Sequence, residues 1–242
     1  MKKIFPTRKK GISFLPKKWI LAICLVSIAG NTPATQPPKS GKAYVVSNAH
    51  LDTQWLWTVR TSIIDYIPRT IYQNLALIRD YPNYIFNFEG AVKYNWMKEY
   101  YPLDYEKVKE AIKNGRWHVS GSSWDANDVN VPSPESSFRN ILLGQEFYKK
   151  EFGLKSTDIF LPDCFGFGYT LPSIAKHCGL IGFSTQKLGW RKKPFYGNSK
   201  IPFTIGRWKG IDGAELICAL DCGSYVHNFK DDDLTKDNDL IQ

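Results

Sequence analysis

Histidine is scarce in this sequence, with four in 242 residues, which works against a site built on several imidazoles. The five cysteines, at positions 24, 164, 178, 218 and 222, include no CxxC pair. A thiolate metal ribbon and a dithiol redox motif therefore find no support, and the thiols read as mostly buried small apolar groups. No apolar run approaches the roughly 20 residues that cross a bilayer. No internal repeat is present, which excludes solenoid and propeller architectures.

Positive charge is missing where a nucleic-acid-binding body would need it. The formal net charge is +9. Lys2, Lys3, Arg8, Lys9, Lys10, Lys17 and Lys18 lie in residues 1–30, a stretch without acids. Removing those seven from 32 basic residues leaves 25 against 23 acids, so the body is nearly neutral. Nucleic acid is not the expected partner.

The N-terminal charge belongs to a different pattern. A basic stretch to Lys18 precedes the apolar run Trp19–Gly30, then small residues with cleavage options after Ala29 and Ala34. This three-part order predicts a secretory signal over 1–30, export to the periplasm or beyond, and no stable membrane span after cleavage. Residues 31–41, rich in Pro, Thr and Ser, read as a linker. An oxidising compartment permits a disulfide, but the spacing demands none.

What is present in quantity is aromatic: eight Trp, thirteen Tyr and fourteen Phe. Most read as core, although flat rings also cover the apolar faces of sugars. Ala43–Ser47 reads as a buried strand, and Ile67, Ile71, Leu75 and Ile78 predict a helix over 63–80 with Pro68 near its start. A second strand at Tyr84–Phe88 precedes helices at about 91–101 and 105–114. Trp117–Ser120 is a third strand, and 121–132 a loop. Ser133 and Pro134 open a helix to Phe152, with Gly153 beyond its end. Asp158–Pro162, a helix over 171–178 and Gly182–Thr185 follow. Phe203–Trp208 and Glu215–Leu220 flank a turn at Gly210–Gly213. Alternating strands and helices imply an α/β fold: a parallel sheet, or partial (β/α) barrel, with helices outside. Residues 230–242 are polar and close no element, so the expectation is a fold interrupted at its C-terminus.

In parallel folds, functional groups gather where strands end at their carboxyl side. The first strand runs into Asn48-Ala49-His50-Leu51-Asp52-Thr53-Gln54-Trp55-Leu56-Trp57. Residues two apart on an extended chain point the same way, so His50 and Asp52 make half a divalent-metal site. The other reading is a hydrogen-bonded pair. The fourth strand ends in Leu161-Pro162-Asp163-Cys164-Phe165-Gly166, offering Asp163 as a third ligand, a nucleophile, or both. In the 121–132 loop, Trp124 could stack on a sugar and Asp128 could bind hydroxyls, unless Asp128 and Asn130 serve turn backbone. Lys187, after the fifth strand, faces a polar substrate or plain solvent.

These blocks, with Thr185-Gln186-Lys187 and Gly210-Ile-Asp-Gly213, closely resemble in order and spacing the catalytic domain of glycoside hydrolase family 38, the retaining α-mannosidases. The resemblance covers 43–225, and residues 42–242 are expected to be a truncated catalytic domain. It implies one Zn2+ ion held by His50, Asp52 and Asp163, with Asp163 also the nucleophile. It further implies that Trp55 packs on a terminal mannose, that Phe165 lines the same subsite, and that Lys187 is the basic position beside it. A mannose-containing glycan is the implied partner. The family's second carboxyl and last histidine ligand come from later motifs, which His118, His177 and His227 do not match. Asp125-Ala126-Asn127 departs from the Val-Glu-Pro expected of close relatives. Two other readings are a non-catalytic sugar-binding fragment and a metal-dependent polysaccharide deacetylase. The deacetylase would need further histidines nearby.

Overall fold

The computed structural model describes residues 47–189, 203 and 205–220. The signal segment, the linker, residues 43–46 of the first strand, Cys24, Cys222, His227 and the polar tail lie outside the described residues.

Short strands form where β-branched and aromatic residues can pack on both faces of a sheet. β1 (Ser47–Ala49), β2 (Phe86–Glu89) and β3 (Trp117–Ser120) make a three-stranded parallel sheet in that order. Asn48 opposes Asn87, and Asn87 opposes His118. The second sheet holds β4 (Asp158–Phe160), β5 (Gly182–Thr185), β6 (Ile205–Lys209) and β7 (Glu215–Leu220), in the order β4-β5-β7-β6. β4, β5 and β7 run parallel, and β6 returns antiparallel on β7. The hairpin turn at 210–213 is confirmed, closed by Gly213 N–H donating to Gly210 O at 3.1 Å. Alternation in β7 buries Leu216, Cys218 and Leu220 and exposes Ile217. Between the sheets, Ser122 N–H donates to Asp158 O at 2.9 Å.

The first helical segment starts earlier than its apolar spacing suggests. Thr58 caps α1 (Val59–Thr61), its hydroxyl accepting from Thr61 N–H. A π turn at Ser62–Tyr66 leads into α2 (Ile67–Asp80), where Pro68 sits in the first turn. The wider turn comes just before a residue that has no N–H to give, a common place for such irregularity. Pro102 opens α4 (Pro102–Lys113) directly after α3 (Ala91–Tyr100), three residues before the expected start. α5 (Pro134–Phe152) runs as expected: the Ser133 hydroxyl accepts from Ser136 N–H, and Gly153 takes a left-handed conformation. α6 spans Leu171–His177.

Two cores result. The first gathers Ile67, Ile71, Phe86, Phe88, Tyr94, Trp117 and Tyr148; the second gathers Ile141, Ile159, Leu161, Ala175, Phe183 and Cys218. α5 supplies Ile141 to one and Tyr148 to the other. Among the described residues no helix is long and apolar enough to cross a membrane.

Candidate metal centre

Gly121 marks where strand ends converge. It follows β3 with φ +65°, and a Cβ there would lie 3.4 Å from Glu89 Cβ and 3.5 Å from Phe160 Cβ. A left-handed residue at so tight a junction favours glycine. The end of β2 and the end of β4 therefore meet on one rim.

His50 and Asp52 follow β1, and Asp163 lies just beyond β4. One ligand atom from each falls in a cluster whose members all lie within 4.8 Å of one another. An imidazole and two carboxylates are a donor set that divalent zinc accepts, and bonds near 2.0–2.2 Å would require only a modest contraction. His50 Nε2 lies 3.2 Å from Asp52 Oδ1, and Nδ1 lies 3.3 Å from Glu89 Oε1. Both nitrogens are buried, and neither makes an aligned hydrogen bond. Such orphaned buried nitrogens suit a metal ligand. Burial works against a charged imidazole, but Glu89 outweighs it and holds the His50 pKa above its ordinary value.

The other expected residues divide. Trp55 and Phe165 are exposed, at 68% and 64%. Lys187 is not the solvated lysine that one reading allowed: it is buried, ion-paired to Asp163, and its Nζ lies 4.5 Å from the Phe165 ring centroid. Trp124 is half-buried, its ring edge-on to Phe147 at 5.9 Å and packed against the first core. Asp128 takes the turn role, its Oδ1 accepting from Asn130 N–H at 2.7 Å and Val131 N–H at 3.0 Å. Its neighbour Asn130 ties the loop to the Asp163 segment by donating to Gly166 O at 2.9 Å. Cys164, beside Asp163, donates its thiol to Asn127 O at 3.0 Å, and burial pushes its pKa up to about 12.

With this geometry in place, comparison with known proteins decides the family. The sequence profile of the Glycosyl hydrolases family 38 N-terminal domain matches residues 40–240. The chain belongs to glycosyl hydrolase family 38. It is 36% identical to alpha-mannosidase G of Dictyostelium discoideum over 73% of its length, and 32% identical to alpha-mannosidase 2C1 of Homo sapiens over 72%. It spans 16% of the length of each. An alpha-mannosidase structure from Enterococcus faecalis V583 superposes with a TM-score of 0.61 at 22% identity, covering 72% of this chain and 19% of that one. A 4-alpha-glucanotransferase from Thermococcus litoralis shares the fold at a TM-score of 0.53 and 14% identity, covering 72% and 27%.

Within this family 38 chain, Glu89 and Lys93 border the site unread from the sequence, and Asp125 entered that reading only as a departure from the family pattern. Glu89, the last residue of β2, is 2% exposed, and Lys93 on α3 is fully buried with its Nζ 2.6 Å from Glu89 Oε1. Lys93 also lies 3.9 Å from Asp125 Oδ1. Burial alone would raise the Glu89 pKa, but Lys93 and then His50 hold it below the usual range. Burial raises that of Asp125 despite Lys93. The available signal was an acid at the carboxyl end of a parallel strand, at the same sheet end as His50. The departure at Asp125 also gains an explanation: its carboxylate lies beside a buried ammonium.

Proposed function

We propose that this chain forms the metal-holding part of an exported, zinc-dependent retaining α-mannosidase, acting on terminal α-linked mannose of an oligosaccharide or glycan. The observation that carries the reading is the convergence of His50, Asp52 and Asp163 on one point. The parallel three-stranded sheet and the mixed four-stranded sheet, joined through Ser122 and Asp158, are read as part of a (β/α) barrel. The basic and apolar pattern of residues 1–30 supports export.

In this reading His50, Asp52 and Asp163 would hold the ion, whose chemistry when bound is that of a Lewis-acid template for adjacent sugar hydroxyls. Trp55 and Phe165 offer exposed rings to the sugar's apolar face. Asp163 attacks the anomeric carbon: a carboxylate C–O bond forms as the glycosidic C–O bond breaks, its electron pair leaving on the aglycone oxygen. That oxygen takes a proton from a second carboxyl, which the resemblance assigns to motifs other than those matched here. Water then attacks the same carbon, giving a proton to that second carboxylate as the ester C–O bond to Asp163 breaks, so configuration is retained. Lys187 holds the Asp163 carboxylate in place and balances its charge.

The test uses the longest product the gene encodes, with an aryl α-mannoside as substrate. Release of α-mannose as the first-formed anomer by proton NMR, lost on chelation and restored by Zn2+, is the expected result. First-formed β-mannose, or full activity in chelator, would refute it.

A further inference from the structure

The buried Glu89–Lys93 pair does not explain itself. Removing two charges from water costs several kcal/mol per ion, and an apolar pair of similar volume often serves stability as well or better. Yet the fold makes particular room for it. Gly90, between strand and helix, adopts φ +88°, and a Cβ there would lie 2.9 Å from Lys93 Nζ. The lysine thus folds back across a bare backbone, with its ammonium also 5.8 Å from the Phe88 ring centroid.

What the pair touches is informative. One oxygen, Glu89 Oε1, meets both Lys93 Nζ at 2.6 Å and His50 Nδ1 at 3.3 Å. The opposite nitrogen, Nε2, is the one that faces Asp52. Asp125, the second carboxylate near Lys93, interacts with the Thr53 side chain, next to Asp52. The buried ammonium therefore stands behind His50 through Glu89, and through Asp125 it reaches Thr53, the neighbour of Asp52.

We infer that Glu89 and Lys93 are positioning residues for His50. Lys93 fixes the Glu89 carboxylate 3.3 Å from Nδ1, where it would draw the ring proton to that nitrogen and leave Nε2 bare on the Asp52 side. Carboxylate partners of this kind set the tautomer and ring orientation of ligating histidines. The inference rests on the metal reading above, and the test separates the two.

Zn2+ affinity of the full chain is measured by competition with a chromogenic chelator, and the His50 tautomer by 15N NMR of the metal-free protein. Lys93→Met leaves Glu89 unpaired and is expected to lower stability as well as affinity. The double variant Glu89→Gln/Lys93→Met removes both charges together, so it avoids the unpaired-ion cost. It is expected to fold, to bind Zn2+ about 10–100-fold more weakly, and to lose the single Nδ1–H tautomer. If the pair served structure alone, the double variant would match the parent in affinity and tautomer, and that result overturns the inference. If the parent binds no Zn2+, the metal reading fails. The tautomer then decides by itself: kept in the double variant it overturns the positioning role, and lost it supports it.

Discussion

Asp163→Asn is expected to lower aryl α-mannoside hydrolysis by the longest gene product at least about 10^4-fold, the scale on which removal of a member of a catalytic unit is felt. The amide keeps the shape of the side chain. It cannot attack the anomeric carbon, and it offers a metal no anionic oxygen. It also loses the charge that Lys187 now answers, so the buried ammonium is left facing a neutral partner. Two controls locate the cause. Unfolding midpoints close to the parent's would exclude a collapse of the fold. Added azide, a small external nucleophile, should restore some turnover if only the attacking group is missing. Activity within about tenfold of the parent would remove Asp163 from the mechanism.

The largest expected effect on stability comes from Gly144→Ala. A Cβ on Gly144 would lie 2.2 Å from Ser122 O, 2.5 Å from Ser123 C and 2.7 Å from Trp124 N. All three are backbone atoms, and the segment is held from several sides. Ser122 N–H donates to Asp158 O, Trp124 N–H donates to Asn140 O at 2.8 Å, and Ser123 O accepts from Ala91 N–H at 3.2 Å. It cannot step aside without breaking these bonds. Alanine favours the helix by up to about 1 kcal/mol, and overpacking of this severity opposes it by about 3 kcal/mol or more. The net loss of about 2 kcal/mol lowers the thermal midpoint by roughly 4–8 °C for a chain of this size. Circular dichroism melts would measure it, and a midpoint unchanged or raised would show that α5 can shift.

Local rules carried much of the fold. Trp117–Ser120, Gly182–Thr185, Glu215–Leu220 and the 134–152 helix occur at the residues where pattern, cap and breaker agree. The misplaced boundaries came where a local rule has two outcomes. Pro68 and Pro102 both sit in first turns, but one follows a π turn and the other begins its helix immediately. His50 and Asp52 of the candidate metal centre were legible because a strand end, a two-residue spacing and a familiar motif coincide there. Lys93, Glu89 and Asp125 were not, because nothing local tells a buried ion pair from a solvated one. Trp124 and Asp128 show the converse: packing against Phe147 and turn hydrogen bonds engage side chains whose type alone suggested sugar contacts.

α5 gives its two ends to different cores, Ile141 to one and Tyr148 to the other. Melting of either core strips that helix of part of its buried face, so loss of one core is expected to weaken the other. The described region should therefore lose structure as one cooperative unit. Native-state hydrogen exchange would show it as amides along α5 sharing the slowest opening of the molecule, with no separate, cheaper opening for either sheet. Since His50 hangs from the first sheet and Asp163 from the second, the distance between them is kept by the same all-or-none event that keeps the molecule folded.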